Sequence, residues 1–498
     1  MVGSVKEVTP DFKNADLIRK GAYVNGKWIE NAADTFEVTD PATLKVIATL
    51  PDQPLEAVYE AIDAAETSFR SYKKTGPRQR AQLLRKLYDL MMENVDDLAR
   101  IITWENGKAF AEAQGEVKYA ASYFEWYAEE AVRMYGTTIQ PSNTANRAMT
   151  VRQPVGVCGI ICPWNFPSAM ITRKAGAALA AGCTVVIKPD AQTPLSALAM
   201  ARLVEQAGFP AGAFNVVLTA TRTPEFGLAL CESSKVKKVS FTGSTNVGKI
   251  LMKQSASTMK KLSFELGGNA PVIVFEDADL EQAVTQTMLS KFRGLGQTCV
   301  CANRIYVQRS VIDKFAESLA EKVNAFVIGH GLDPKTTHGC LINENAIKKV
   351  EDHVKDALEK GAKTVVAGGR RTDLGPHFYA PTVLSYVPAT AKVNKEETFG
   401  PLCALIPFDT AEEVVGYAND TELGLASYVF SQNINTIYTV AEALETGMVS
   451  CNTGLFTDCA IPFGGVKESG FGREGSLHGI EDYTVIKTIT IGNLPSPL

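Results

Sequence analysis

The chain has 498 residues, which is too long for one hydrophobic core and suggests roughly three units of structure. Its composition, 45% hydrophobic and 21% charged, is typical of a globular α/β protein and excludes a disordered one. Fifty basic and 55 acidic residues give a net charge of −5 and form no block of like charge. Neither nucleic acid nor an anionic membrane is therefore an expected partner.

The ten cysteines follow no framework spacing, and the five histidines lie far from the cysteine pairs in sequence. Reduced thiols are therefore expected, and no structural metal is. The first twenty residues mix acids and bases without the apolar segment of a secretory signal. The longest apolar run, residues 175–187, is too short to span a bilayer. These features predict a cytoplasmic protein.

The N-terminal part of the chain begins with a hairpin signal and continues with helices. Asn25 and Gly26 lie between apolar residues, a pattern typical of a β-hairpin. Residues 55–135 have apolar side chains at helical spacing. Their aromatic cluster comprises Tyr123, Phe124, Trp126 and Tyr127. These side chains either line an apolar tunnel or pack in the core, and core packing is the commoner outcome.

Residues 136–154 are polar and β-leaning, which predicts a protruding hairpin or arm. Strands then alternate with helices over residues 155–275, a pattern that predicts a parallel sheet of the nucleotide-binding type. In this series Thr193 and Pro194 occupy the N-cap and first turn of a predicted helix. A second series of strands and helices follows over about residues 300–450. The tail TVIKTITIG alternates apolar and polar residues and predicts a terminal strand.

The turn FTGSTNVGK, from Phe241 to Lys249, resembles two phosphate-binding motifs. It fits a P-loop except that Ile250 stands where magnesium binding requires serine or threonine. Gly243 and Ser244 also fit a glycine turn that brings backbone amides at a helix N-terminus to a pyrophosphate. Taken alone, the turn leaves both interpretations open.

A loop with two thiols follows a helix that Asp279 is predicted to cap. Gly294 and Gly296 end this helix and leave Cys299 in irregular backbone, with Cys301 two residues beyond it. A cysteine in such a loop is either a small buried hydrophobe or a candidate nucleophile.

Three other segments carry side chains that suit chemistry at a carbonyl group. Glu265 adjoins two glycines in FELGGNAP, Asn165 lies between two prolines in PWNFP, and Glu397 lies in EETFGP. With Cys299, they provide a nucleophile, a carboxylate that can act as general base and an amide that can stabilise an oxyanion.

These segments together resemble the aldehyde dehydrogenase superfamily over essentially the whole chain. The matching motifs, in family order, are PWNFP, VIKP, FTGS, ELGG, GQTC, EETFGP and PFGGVKESGFGRE. The resemblance implies a Rossmann-like parallel-sheet cofactor domain (1–135 and 155–264) and an α/β catalytic domain (265–474). It also implies a small β oligomerisation arm (136–154 and 475–498) and hence a homodimer or homotetramer.

The resemblance also implies roles for individual residues. Cys299 would attack an aldehyde, Asn165 and the Cys299 backbone amide would hold the oxyanion, and Glu265 would activate water against the thioester. The implied dinucleotide-binding residues are Trp164, Lys188, Gly243, Ser244, Glu397 and Phe399. Among these, Lys188 and Glu397 would bind the two riboses.

Within the superfamily, two motifs resemble the succinate-semialdehyde dehydrogenases. MITRK and KFR contain Arg173 and Arg293, which in that subfamily hold the distal carboxylate of the substrate, and Thr457 stands where a serine is usual. The expected reaction is NAD(P)-dependent oxidation of succinate semialdehyde to succinate; glutarate semialdehyde or another ω-oxo acid is the alternative substrate. A P-loop phosphotransferase that uses Asp277 and a non-catalytic binding protein are the rivals from other classes.

One departure from the family pattern, and one cysteine that the reaction does not require, lead to further predictions. Many NAD-preferring members carry a glutamate where this chain has Ala191, three residues after Lys188. Alanine leaves room for a 2′-phosphate, so NADP is the expected cofactor and NAD the alternative, although Asp190 could replace the missing acid. Cys301 is either a packing residue or a resolving thiol that captures oxidised Cys299 as a disulfide, for which the loop must bend.

Overall fold

The fold is described from a computed structural model, which describes residues 9–495. The parts of the predicted cofactor domain and arm that fall in residues 1–8 and 496–498 lie outside the described residues. The α-helices are α1 (Glu56–Tyr72), α2 (Pro77–Glu93), α3 (Val95–Asn106), α4 (Phe110–Ala131), α5 (Ala169–Ala181), α6 (Pro194–Ala207), α7 (Thr223–Glu232), α8 (Thr245–Ser255), α9 (Leu280–Phe292), α10 (Ile312–Asn324), α11 (Glu344–Glu359), α12 (Ala411–Asn419), α13 (Ile434–Ala443) and α14 (Ser476–Glu481).

The strands, numbered in chain order, are β1 (Ala22–Val24), β2 (Lys27–Ile29), β3 (Asp34–Thr39), β4 (Val46–Asp52), β5 (Thr138–Ile139), β6 (Arg147–Pro154), β7 (Val157–Ile161), β8 (Thr184–Lys188), β9 (Phe214–Val216), β10 (Val236–Thr242), β11 (Lys261–Glu265), β12 (Pro271–Val274), β13 (Arg304–Gln308), β14 (Lys363–Val366), β15 (Gly369–Arg370), β16 (Tyr379–Ala380), β17 (Thr382–Ser385), β18 (Leu402–Phe408), β19 (Leu423–Gly424), β20 (Ala426–Phe430), β21 (Met448–Cys451), β22 (Val466–Lys467), β23 (Gly470–Phe471) and β24 (Thr484–Ile491). No helix between residues 9 and 495 is long and apolar enough to cross a membrane.

An eight-stranded sheet has the order β2-β1-β9-β8-β7-β10-β11-β23. Its central strands β9, β8, β7, β10 and β11 run parallel. Strand β8 is buried along its whole length, because helices cover both faces of a parallel sheet. The predicted hairpin at Asn25 and Gly26 is confirmed, since β1 and β2 pair antiparallel around it.

A seven-stranded sheet has the order β14-β17-β18-β13-β12-β20-β21 and is parallel except for β14. Two details of these sheets differ from the sequence analysis. Strand β12 was assigned to the first series, but it lies in the second sheet between β13 and β20. Strand β11, which ends at Glu265, was missed because its five residues, KLSFE, are too mixed in polarity to stand out.

The predicted arm and terminal strand form a three-stranded sheet of order β24-β6-β5. Strand β24 pairs antiparallel with β6 over eight residues. Its side chains are exposed from Val485 onward, including the apolar Ile486, Ile489 and Ile491. The α/β class is confirmed, whereas the domain boundaries and the role of this sheet in oligomerisation stay predictions.

The aromatic cluster of α4 packs in the core rather than lining a tunnel. Tyr123, Phe124 and Tyr127 are fully buried, and Trp126 packs against the same core. The tunnel interpretation was therefore wrong for these side chains. The Tyr127 hydroxyl accepts a hydrogen bond from Gly475 N, which ties α4 to the C-terminal segment.

The start of α6 also differs from the prediction. Thr193 occupies the N-cap, but its hydroxyl caps nothing. The free amides of Leu195 and Ser196 instead donate to the carboxyl group of Glu105, at 2.6 and 2.9 Å. Burial raises the pKa of Glu105 to about 8. A distant carboxyl group therefore replaces the local cap.

Candidate active site

The loop that carries the thiols follows α9 as the sequence predicts. Asp279 caps the helix by accepting from Gln282 N at 3.0 Å. After the helix, Gly294, Leu295 and Gly296 adopt positive φ angles of 55°, 54° and 77°, which break its path. A β-carbon at Gly296 would lie 2.5 Å from the Gly400 carbonyl oxygen, so only glycine fits there.

The next four residues form a tight turn in which Cys301 N donates to the Thr298 carbonyl at 2.9 Å. Cys299 lies within this turn and is half-buried, whereas Cys301 is buried. The Cys301 sulfur lies 3.3 Å from Lys291 Nζ and donates to the Lys291 carbonyl. The segment is therefore bent, as a bond between the two thiols would require.

A cavity of about 240 Å³ brings most of the predicted catalytic and cofactor residues together. The predicted site residues that line this cavity are Cys299, Asn165, Trp164, Gly243, Ser244, Glu397 and Phe399. They come from four separate segments of sequence, so their convergence is a property of the fold.

Asn165 is fixed beside the thiol loop by a network that the sequence analysis missed. Its Nδ2 donates to the Gln297 backbone carbonyl at 3.0 Å, and the Asn165 backbone carbonyl accepts from Lys108 Nζ at 2.8 Å. Lys108 also pairs with Glu116 at 2.6 Å, and both side chains are buried. No sequence signal singles out this pair, because other charged residues, including Glu112 and Lys118, lie between or beside the two.

Cys299 lies in surroundings that favour the neutral thiol. Burial raises its pKa to about 12, the charges of Glu397 and Glu265 also raise it, and those of Arg173 and Arg293 lower it. The thiolate must therefore form during the reaction, when the surroundings of the sulfur change.

Glu265 lies in surroundings that favour its neutral form. It ends β11 and is buried, and its Oε2 has no hydrogen-bond partner among residues 9–495. Burial and then the charge of Glu474 raise its pKa well above the usual value, against the lowering effect of Arg173 and Lys174. A general base must be ionised, and these surroundings oppose the ionisation of Glu265.

Arg173 belongs to a buried cluster of charges. Its Nε lies 2.6 Å from Glu474 Oε2, and its guanidinium stacks 3.9 Å from the centre of the Phe463 ring. Lys174 pairs with the other oxygen of Glu474 and donates to Thr242. The sequence analysis missed Glu474, although it lies in the PFGGVKESGFGRE motif.

A second cavity, of about 320 Å³, contains Arg293 and Thr457. The Arg293 guanidinium lies 5.2 Å from the centre of the Phe166 ring. Among residues 9–495 it makes no hydrogen bond or ion pair. Because the guanidinium forms no ion pair with a described residue and lines a cavity of this size, it suits a ligand that carries a negative charge.

Arg173 does not line this cavity, although its charge acts on the same region. Arg173 and Arg293 both lower the pKa of the Tyr119 hydroxyl, which burial raises. Tyr119, which lies one helical turn before the buried Tyr123, lines the cavity. Arg293 and Thr457 thus line one cavity, whereas Arg173 pairs with Glu474.

The cofactor side of the site fits a dinucleotide at the turn before α8. A β-carbon at Gly243 would lie 2.3 Å from the Phe241 ring, so the turn requires glycine. Ser244 caps the helix by accepting from Val247 N, which leaves other N-terminal amides free for a phosphate. The Trp164 and Phe399 rings meet edge to face at 5.6 Å and form part of the cavity wall.

Lys188 and Glu397 have the properties expected of ribose-binding groups. The ammonium group of Lys188 is buried without a hydrogen bond or ion pair to any residue from 9 to 495, and burial lowers its pKa. Glu397 accepts from Gly268 N at 3.2 Å, and burial raises its pKa to about 7. Lys349, which the sequence analysis missed, lines the same cavity and lowers the pKa of Glu397.

Ala191 lines a different, smaller cavity of about 160 Å³, which also contains Glu105. Asp190, the acid that could replace the missing glutamate, accepts from Gln192 N at 2.9 Å. This bond occupies Oδ1, one of the two carboxyl oxygens of Asp190. The geometry therefore does not bring Ala191 to the cavity around Cys299.

A match to a known protein family identifies the family of this chain. The model of the aldehyde dehydrogenase family matches residues 28–489. The chain belongs to the aldehyde dehydrogenase family. Its relatives include the succinate-semialdehyde dehydrogenase [NADP(+)] of Saccharomyces cerevisiae, which is 72% identical over 489 residues, 98% of each chain.

Two further comparisons extend this result. The glutarate-semialdehyde dehydrogenase of Pseudomonas putida is 52% identical over 481 residues, 96% of this chain and 99% of that one. The crystal structure of an NADP-dependent enzyme from Escherichia coli superposes with a TM-score of 0.95 at 50% identity. It covers 97% of this chain and all of the other, so the aldehyde dehydrogenase fold is confirmed.

The alternative of a P-loop phosphotransferase finds no support in this aldehyde dehydrogenase. Lys249, which would contact phosphate, is exposed and pairs with Glu468 at 2.7 Å. Asp277 accepts from Ser431 and from Asn433 N, and thus holds the turn before α13. Within residues 9–495 no group of three or more candidate ligand side chains could hold a metal ion.

Proposed function

We propose that this aldehyde dehydrogenase oxidises succinate semialdehyde to succinate with NADP as the cofactor. The observation that carries the proposal is the unpaired guanidinium of Arg293 in a cavity that also contains Thr457. A carboxylate at the far end of the aldehyde would give Arg293 a charge-assisted hydrogen bond. The identity to the Saccharomyces cerevisiae enzyme supports the same substrate and cofactor.

Glutarate semialdehyde is the second candidate, which the Pseudomonas putida relative favours. The two aldehydes differ by one methylene group, which is worth about 1 to 3 kcal/mol in a fitted pocket. Because Arg293 would hold either carboxylate, the length of the cavity decides between the two substrates.

In the proposed reaction Cys299 loses its proton and its sulfur attacks the aldehyde carbon. Asn165 Nδ2 donates to the Gln297 carbonyl in the structure. In the reaction, this amide group and the Cys299 backbone N–H would donate hydrogen bonds to the oxygen of the thiohemiacetal. The nicotinamide supplies the hydride acceptor when NADP is bound. Glu265 next takes a proton from the water that attacks the thioester, and succinate leaves as the Cys299 thiol re-forms.

The residues proposed to hold NADP are Trp164, Lys188, Gly243, Ser244, Glu397 and Phe399. The glycine turn before α8 and the unpaired Lys188 support this assignment. Lys188 and Glu397 would bind one ribose each.

Arg293→Ala is expected to reduce kcat/KM for succinate semialdehyde by about tenfold to more than a hundredfold. A hydrogen bond to a charged group contributes about 1.5 to 3 kcal/mol, and the variant loses it. Butanal, which has the same chain length without the carboxylate, should lose much less. Initial rates of NADPH formation with both aldehydes measure the difference.

Arg309→Ala is the matched control, because Arg309 is exposed and its only ion pair within the described part of the chain is with Asp409. Equal losses on both aldehydes in Arg293→Ala would mean that this arginine is structural. Arg173→Ala is a less specific test of carboxylate binding, since it also removes one of the two cations that pair with Glu474.

The preference for NADP is proposed to depend on Ala191, as the sequence analysis predicts. Ala191→Glu is expected to lower kcat/KM for NADP relative to NAD, because a carboxylate would repel the 2′-phosphate. Ala191→Gln is the control, since it adds the same bulk without charge. If Ala191→Glu leaves the ratio of kcat/KM for NADP to kcat/KM for NAD unchanged, this explanation is contradicted. The test is informative because Ala191 lines a separate cavity from Cys299.

Cys301 is proposed to be a resolving thiol for Cys299. Peroxide would oxidise the Cys299 thiol to a sulfenic acid and release water. The Cys301 thiol would then attack that sulfur, forming a disulfide and releasing a second water. The bent turn between Thr298 and Cys301 supports closure of the bond. Burial raises the pKa of both thiols, so the oxidation is expected to be slow.

Mild peroxide is expected to abolish the activity of the wild type, and dithiothreitol to restore it. Cys301→Ala should be active but should be inactivated irreversibly, because its sulfenic acid proceeds to higher oxides. Activity after each treatment and the mass of the thiol peptide are the measurements. Full recovery of the oxidised variant would rule out a resolving role.

The predicted domain boundaries and the oligomerisation arm are also proposed, because the family resemblance implies them. The exposed apolar residues of β24, which include Ile486 and Ile489, support a role for this sheet in forming a homodimer or homotetramer. A cytoplasmic location is also proposed, on the features of the sequence given above.

A further inference from the structure

Glu112 lies in the cavity that contains Arg293 but has no part in the reaction described above. It shares one face of α4 with Gly115, Glu116 and Tyr119, which all line this cavity. Its Oε1 accepts from Gly294 N at 2.8 Å, which ties the helix to the residue after Arg293. Its Oε2 is buried and has no hydrogen-bond partner among the residues that the structure describes.

The charged and titratable groups that face Glu112 are Lys108, Glu116, Tyr119 and Arg293. Lys108 is occupied by Glu116 and by the Asn165 carbonyl, at 2.6 and 2.8 Å. Arg293 forms no ion pair with Glu112 or with any other described residue. Burial raises the pKa of Glu112, while the bond from Gly294 and the charges of Lys108 and Arg293 lower it.

Such a carboxyl group can help or hinder a bound carboxylate, depending on its proton. A carboxylate accepts about four hydrogen bonds, of which Arg293 can supply two. A protonated Oε2 would donate one of the others, whereas an ionised Oε2 would place two like charges in one cavity. Glu112 could therefore bind the substrate carboxylate only as the neutral acid.

We propose that Glu112 is a specificity-determining residue that donates a hydrogen bond from protonated Oε2 to the distal carboxylate of the substrate beside Arg293. This inference rests on the proposed function, because it requires a substrate with a distal carboxylate. The proton stays on Glu112 throughout, so no atom or charge is transferred. The preference for carboxylated aldehydes should accordingly weaken as the pH rises and Glu112 ionises.

The test is the ratio of kcat/KM for succinate semialdehyde to that for butanal between pH 6.5 and 9.5. The titration of Cys299 and Glu265 affects kcat/KM for both aldehydes equally, because both react by the same steps. Its effect therefore cancels in the ratio. In the wild type it should fall with pH by at least about tenfold, the effect of one hydrogen bond to a charged group.

Glu112→Gln decides the result. Its amide oxygen can accept from Gly294 N, and its NH₂ group can donate to the carboxylate at every pH. The ratio in this variant should be high and independent of pH. In Glu112→Ala it should be low and independent of pH, but this variant also loses the bond to Gly294. The comparison of Glu112→Gln with the wild type stands even if Glu112→Ala does not fold.

A ratio that falls with pH in Glu112→Gln as it does in the wild type would overturn the role of Glu112. The same holds for a ratio that does not change with pH in the wild type while succinate semialdehyde is still strongly preferred. A wild-type ratio near one, unchanged by Arg293→Ala, would instead refute the proposed function itself. The two failures are therefore distinguishable.

Discussion

Cys299→Ser is expected to reduce kcat by about four orders of magnitude or more. Loss of the nucleophile removes the covalent step on which hydride transfer and hydrolysis both depend. The serine hydroxyl has nearly the same shape but is much harder to ionise, in a site where burial already raises the pKa of the native thiol to about 12.

The measurement is the steady-state rate of NADPH formation, with circular dichroism to verify that the variant is folded. Cys451→Ser is the matched control, because Cys451 is also half-buried but lies in strand β21 of the second sheet. This control should keep its activity. Retention of more than about 1% of wild-type kcat in Cys299→Ser would contradict the assignment of the nucleophile.

Glu265→Gln is expected to separate the two halves of the reaction. The amide has the size of the carboxyl group but cannot take a proton from water. The first turnover should proceed and release one NADPH per subunit. Hydrolysis of the thioester should then slow by about 100-fold to 10,000-fold, the usual contribution of a general base.

Stopped-flow absorbance of NADPH measures this burst, and mass spectrometry of the quenched enzyme detects the acyl group on Cys299. In the wild type, kcat should rise with pH, because a carboxyl group with a raised pKa must ionise before it can act as a base. A variant that loses the burst as well as the steady-state rate would show that Glu265 acts before hydrolysis.

The local features of the thiol loop could be predicted because their causes are local. Asp279 caps α9 through a residue three positions away, and Gly294 and Gly296 break the helix through their own backbone angles. The roles of the residues around Cys299 came from the family resemblance. Their convergence in one cavity is a result of the fold that no spacing in the sequence contains.

The features that the sequence analysis missed depend on contacts between distant residues. Glu474 meets Lys174 across 300 positions, and Glu105 replaces the cap of a helix that begins about 90 positions later. Tyr119 and Tyr123 share one face of α4 and are bonded through their hydroxyls at 2.6 Å. Only the packing of neighbouring elements decides which ring reaches the cavity.

The assignment of β12 to the wrong sheet has a similar cause. Its four residues form a buried apolar strand that suits either parallel sheet equally well. The neighbours β13 and β20 come later in the chain, so the sheet order depends on pairings that periodicity does not encode.

The central claim, an aldehyde dehydrogenase specific for succinate semialdehyde with NADP, is tested most directly by initial rates of the wild-type enzyme. Succinate semialdehyde, glutarate semialdehyde and butanal should each be measured with NADP and with NAD. The proposed site predicts the highest kcat/KM for succinate semialdehyde with NADP and a value at least about tenfold lower for butanal. Equal values for butanal and the two carboxylated aldehydes would contradict it.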